Sequence, residues 1–226
     1  MLDTTYIIFV LPALLLAMWA QVKVSSTFNR YSKIASQRGL TGHDAARQIL
    51  DEHGLTDVRV EHIGGNLTDH YDPRTNVIRL SDSVYDSNSI GAVGVAAHEA
   101  GHAVQYSEGY IPIKVRNAVI PAANIGSYAA FPLALLGILF SSDLLINAGI
   151  ILFSTVVFFQ FVTLPVEFNA SSRAIRVLEN SAMLDHQEIR GVKKVLSAAA
   201  MTYVAAAFTA LMNLVRLLLL TGRKRN

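Results

Sequence analysis

The chain has 226 residues, 52% of them hydrophobic and 16% charged, with a formal net charge of +2. This apolar excess points to membrane segments, and the small charge, with no basic run interleaved with aromatics, excludes a nucleic-acid partner. Cysteine is absent, which excludes disulfides and thiolate metal sites, so any metal must be held by histidine and carboxylate.

Taken in order, Tyr6 to Val22 is an apolar run broken only by Pro12 and Gln21, close to the about 20 residues needed to cross a bilayer. It lacks a basic leader and a small-x-small cleavage site, so it reads as an anchor rather than a removable signal. Lys23, Arg30, Lys33 and Arg38 follow it and only Asp3 precedes it, which directs the segment after Val22 to the cytoplasm. Asn29 to Gly54 reads as helical, with Thr41 and Asp44 spaced as a capping box for a second helix that Gly54 ends. From Asp57 to Ser81 the pattern changes: Val58, Val60 and His62 alternate with Arg59 and Glu61, and Asp72 to Asn76 forms a turn before Val77-Ile78-Arg79-Leu80. A small antiparallel sheet is expected, with an edge strand just before the next helix either receiving an extended substrate or serving only as a stabilising hairpin.

Ser89 to Gln105 is a small-residue helix carrying His98-Glu99-Ala100-Gly101-His102. Residues four apart on a helix share a face, so both imidazoles can reach one zinc ion, while Glu99 falls beside it as a general base. With seven histidines in the chain, this spacing is rare by chance. Two structural histidines on a buried helix are the bland alternative, yet an apolar helix has little other reason to bury three polar groups together. After Gly109 to Lys114, the runs Ala118 to Phe140 and Leu144 to Leu164, joined by Ser141-Ser142-Asp143, form a transmembrane hairpin. That hairpin returns the chain to the side it left. A catalytic zinc needs a third protein ligand, and Glu167 meets the requirements of topology and helical setting; a snorkelling or salt-bridged glutamate is its other reading. Asp185 and Glu188 open a last helix through the Ala-rich run Leu196 to Leu220. If that run spans, Arg223, Lys224 and Arg225 end outside; if it does not, the run lies in the interface or folds back.

Three stretches carry a family resemblance: Asp69-His70-Tyr71-Asp72-Pro73-Arg74-Thr75, Ala97 to Gln105, and Leu164-Pro165-Val166-Glu167-Phe168-Asn169-Ala170-Ser171. Together they resemble the YugP-type membrane zinc metallopeptidases over nearly the whole chain, and more distantly HtpX-type membrane metalloproteases. The resemblance implies Zn2+ as cofactor, a polypeptide as substrate and Glu167 as third ligand beside His98 and His102. Asn169 stands where YugP-type chains are expected to carry an acidic residue, and Ser171 where HtpX-type chains carry aspartate. Both positions bear on how the ligands are oriented.

The expected protein is a mainly α membrane protein with a zincin-like His-Glu-x-x-His helix, a small antiparallel β hairpin or sheet, and three to four transmembrane helices. Its expected organisation is an anchor over 1–22 and a cytoplasmic peptidase region over 23–117 with the active-site helix at 89–105. A hairpin over 118–164, a third-ligand segment over 165–194, and a hydrophobic helix with basic tail over 195–226 complete it. It is expected to be a multi-pass protein of a bacterial-type plasma membrane, cleaving membrane or membrane-proximal proteins at the cytoplasmic side. Its partners are the bilayer and a polypeptide substrate, with a membrane-protein partner or a homo-oligomer left open. The alternative is a catalytically silent scaffold that keeps zinc for structure; structural zinc sites are usually closed by four ligands, so a fourth from His70 or His186 would favour it. Tyr203, Arg173 and His70 are oxyanion candidates, each with an ordinary surface role as the competing reading, and His43, His53, His62 and His186 read as surface histidines.

Overall fold

The computed structural model describes residues 4–222, so Asp3 and the tail residues Arg223, Lys224 and Arg225 fall outside the described residues. A π-helical turn, Tyr6–Val10, leads into α1 (Leu11–Tyr31), followed by α2 (Gly42–Glu52) and three strands, β1 (Arg59–Ile63), β2 (His70–Asp72) and β3 (Val77–Ser81). Four helices complete the chain: α3 (Ile90–Ser107), α4 (Ile111–Leu139), α5 (Asp143–Asn180) and α6 (His186–Gly222). The fold is mainly helical, as expected, and four helices, Tyr6–Tyr31, α4, α5 and α6, are long and apolar enough to cross a membrane. The anchor helix runs on past Val22 to Tyr31, and the helix of the third-ligand segment is the unbroken continuation of the second hairpin helix.

The predicted helix starts are present. Thr41 and Asp44 cap each other's backbone N–H at 3.1 Å both ways, and Asp185 and Glu188 do the same at 2.7 Å. Gly54 adopts φ +70°, the left-handed conformation that ends a helix without a Cβ penalty.

The contacts group into two compact units. One comprises Met1–Gln21, Ile111–Pro165 and Met201–Asn226. Within it α4 and the first part of α5 form the hairpin, joined by residues 140–142, and small residues let the backbones approach. A Cβ on Gly149 would stand 2.7 Å from Ala130 O, and the rings of Phe131 and Phe153 meet edge to face at 5.1 Å. Arg216, the cation within the apolar run of α6, lies 5.4 Å from the centre of the Tyr6 ring.

The other unit comprises Val22–Tyr110 and Val166–Ala200. Its sheet corrects one expectation. β2 pairs with β3 antiparallel through the Asp72 to Asn76 turn, as read from sequence, but β1 pairs with β3 in parallel, giving the order β1-β3-β2 and a mixed sheet. Alternating side chains look the same in both pairings, so the sequence pattern could not separate them. The strand just before α3 is therefore central, with Val77, Ile78 and Leu80 fully buried, and β2 is an edge. α3 runs through the middle of the core of this unit: Ala92, Val93, Ala96, Ala97 and Ala100 have no exposure, and Ser89 caps its first turn through Ala92 N at 3.2 Å.

Candidate metal centre

All members of the site belong to the unit that holds α3. The histidine rings of α3, His98 and His102, meet edge to face with centroids 4.7 Å apart and planes at 80°. α5 presents Glu167 to both. Its Oε2 is 3.3 Å from His98 Nε2 and 3.6 Å from His102 Nε2, and one ligand atom from each of the three residues lies within 4.8 Å of the others. Four ligands held tetrahedrally at zinc bond lengths lie about 3.4 Å from one another. The separations of 3.3 and 3.6 Å therefore suit a tetrahedral metal, and the neutral-nitrogen and carboxylate donors suit zinc. Among the described residues neither His70 nor His186 belongs to this group, which offers three candidate ligands, the number at which a position stays open for water or substrate.

The approach of the two helices is enforced by sequence. Gly101 lies between the histidines along α3, and a Cβ there would stand 2.8 Å from Ala170 O on α5. Glycine is needed for clearance at this position, while its neighbour Ala100 is fully buried.

The far side of each imidazole is also engaged. His98 Nδ1 is 3.2 Å from Ser171 Oγ, and His102 Nδ1 is 3.0 Å from Gln105 Oε1. An Nδ1–H given to these oxygens leaves each Nε2 lone pair directed at the cluster. Gln105 Nε2 donates in turn to Val166 O and to Asn169 Oδ1, at 2.9 and 2.8 Å. Asn169 Oδ1 also accepts from Arg173 Nε at 2.7 Å, and Arg173 Nη1 pairs with Glu108 at 2.6 Å. Burial alone would push the His102 imidazole down, but its bond to Glu167 and the negative charges of Glu99 and Glu167 hold it above the ordinary histidine value.

Glu99 is 8% exposed, and its Oε2 accepts the backbone N–H of Tyr71 from edge strand β2 at 3.0 Å. The β2 strand is fastened there by Asp69, whose carboxylate accepts from Ser81 N at 2.8 Å and Ser81 Oγ at 3.0 Å. Burial raises the Asp69 carboxyl above the usual range, and the Glu99 charge adds to the rise.

The remaining candidates do not join the three-residue group. His70 is exposed and bonds Thr68 O at 2.8 Å, Arg173 is occupied by Asn169 and Glu108, and Tyr203 belongs to the other unit. His62 pairs with Asp82 at 2.7 Å, His53 with Ile49 O, His43 with Asp44, and His186 approaches exposed Glu179 at 4.0 Å. Sequence reading flagged positions 169 and 171 as bearing on ligand orientation but named no partner for them, and gave no role to Gln105 or the Tyr71 amide. The signal for two of them was the helical period, since Gln105 is three residues beyond His102 and Ser171 four beyond Glu167.

A family model described as "Putative neutral zinc metallopeptidase" matches residues 6–222. The chain belongs to this family. A curated relative, "Putative membrane protease YugP" of Bacillus subtilis (strain 168), is 50% identical over 223 residues, covering 98% of this chain and 99% of that protein. No solved structure matches the chain. The two imidazole nitrogens and the carboxylate of the His98, His102 and Glu167 group are donors of the kind that hold zinc.

Proposed function

We propose that this member of the zinc metallopeptidase family is a membrane endopeptidase that binds zinc through His98, His102 and Glu167 and uses Glu99 as general base. The observation that carries the proposal is the convergence of both Nε2 atoms on one Glu167 oxygen, at 3.3 and 3.6 Å, with each Nδ1 engaged on its far side.

Zinc held there supplies Lewis acidity, polarising a peptide carbonyl and bringing the pKa of a water toward about 7. Glu99, following the first ligand by one position, takes the proton of the attacking water and hands it to the departing amine. The Tyr71 amide holds that carboxylate by one oxygen, which leaves the other for the proton. Edge strand β2 is an open side of the sheet beside Glu99, where an extended polypeptide would lie against its backbone groups other than the Tyr71 N–H, which Glu99 holds.

The substrates we assign are membrane or membrane-proximal proteins, because Glu167 follows the apolar run ending at Leu164 by only a few residues. The cytoplasm is the assigned compartment. Lys23, Arg30, Lys33, Lys114, Arg116, Arg190, Lys193 and Lys194 flank the spans on the site-bearing segments, whereas the hairpin turn carries only Asp143. Arg223, Lys224 and Arg225 oppose this count and are outnumbered.

Purified wild type and Glu99→Gln, compared on an unfolded membrane-protein substrate with zinc content measured, test the mechanism. Loss of about 10²–10⁴-fold in rate at equal zinc is expected. Proteolysis retained at equal zinc occupancy overturns it.

A further inference from the structure

Gln105 has no exposure and stands three residues beyond His102 on α3. Its amide makes three contacts. Oε1 faces His102 Nδ1 at 3.0 Å, and Nε2 donates to Val166 O at 2.9 Å and Asn169 Oδ1 at 2.8 Å. The first contact sets which imidazole nitrogen keeps its lone pair. The other two grip α5 on both sides of Glu167 in sequence, at the carbonyl just before it and at a side chain two residues after. From Asn169 the chain of contacts continues to Arg173 at 2.7 Å and then to Glu108, the residue that ends α3, at 2.6 Å.

We infer that Gln105 is a positioning residue that fixes the orientation of His102 and the register of Glu167 against it through one amide, with Asn169 as the acceptor that holds this amide in place. The inference rests on the reading of His98, His102 and Glu167 as metal ligands. Position 105 requires one acceptor and two donors at glutamine length. Glutamate would set a carboxylate against the oxygens of Val166 and Asn169, and leucine would strand the buried Nδ1–H. Position 169 requires an acceptor alone, because Gln105 Nε2 and Arg173 Nε both donate to it. Aspartate meets that requirement and leucine does not.

The test uses the full chain in detergent, reading zinc affinity by competition with a chromophoric chelator and ligand geometry from the absorption spectrum of the cobalt(II)-loaded protein. Gln105→Leu and Gln105→Glu are expected to weaken zinc binding about 10–100-fold and to shift the cobalt spectrum. Asn169→Leu is expected to do the same from a position outside the ligand set, whereas Asn169→Asp stays within about threefold of wild type with an unshifted spectrum. Should the Gln105 variants fail to fold, the two Asn169 variants decide alone, since a merely structural role would leave the spectrum of a folded Asn169→Leu unchanged. Wild-type affinity and spectrum in Asn169→Leu overturn the inference, as does an Asn169→Asp as impaired as Asn169→Leu. Failure of the wild type to bind zinc overturns the metal-site reading and this inference with it. A zinc-binding wild type with indifferent variants overturns this inference only.

Discussion

The backbone N–H of Tyr71 donates to Glu99 Oε2 at 3.0 Å, joining edge strand β2 to the carboxylate of α3 that stands between His98 and His102 in sequence. A carboxylate fixed this way has a defined position relative to the histidines of its own helix. Glu99→Asp withdraws the oxygens by one methylene from the Tyr71 amide, and a displacement near 1 Å at a reacting group costs about 10²-fold in rate. The expected outcome is a fall of that size in kcat with KM and zinc content near wild type, measured by steady-state kinetics beside metal analysis.

Glu167→Ala separates a ligand from an ion-pair residue. Loss of the third donor is expected to abolish stoichiometric zinc in the purified protein, and Glu167→Asp to retain it with lowered affinity. An ion-pair role predicts that both variants keep their zinc, so metal content after dialysis gives the answer.

Protons compete with a metal for the same Nε2 lone pair. The Glu167 contact and the nearby carboxylate charges raise the His102 imidazole against the effect of burial, so a falling pH protonates it sooner than an ordinary histidine. Zinc affinity is therefore expected to fall as pH drops and to begin falling above the usual histidine range. Chelator competition across a pH series measures the profile, and Glu167→Gln is expected to displace its onset downward.

Gly101→Ala places a methyl 2.8 Å from Ala170 O, a backbone atom that can move only with α5. Overpacking of this kind costs about 1–3 kcal/mol. A lowered thermal midpoint together with weakened zinc binding is expected, because the helices that carry the ligands are the ones forced apart.

The clustering of the candidate site residues was more legible in the sequence than the sheet was. The spacing of His98 and His102 is a direct consequence of helical geometry, and the capping residues Thr41, Ser89 and Asp185 act within four residues of themselves, so local pattern carries them. Glu167 needed topology as well, since the hairpin had to bring it back. The pairing of β1 with β3 left no trace, because Val58, Val60 and His62 alternate identically whichever way the neighbouring strand runs. Gln105 was hidden for a different reason: a buried amide is chosen by its partners, and the two acceptors of its Nε2 are 61 and 64 residues away in the chain. Asn169 departs from the acidic residue expected of the family resemblance, yet its Oδ1 receives two donors as a carboxylate oxygen would.

His102 and Glu167 are separated by residues 103–166, a stretch that includes all of α4 and most of α5. An ion bound by both is a cross-link that closes this stretch into a ring. Closing so long a loop removes conformational freedom from the unfolded chain, and the ion binds only where the ring is already formed, so occupancy and folding are linked equilibria. With these residues as ligands, the metal concentration of the surrounding compartment would become a term in the stability of the folded protein, apart from any turnover it supports.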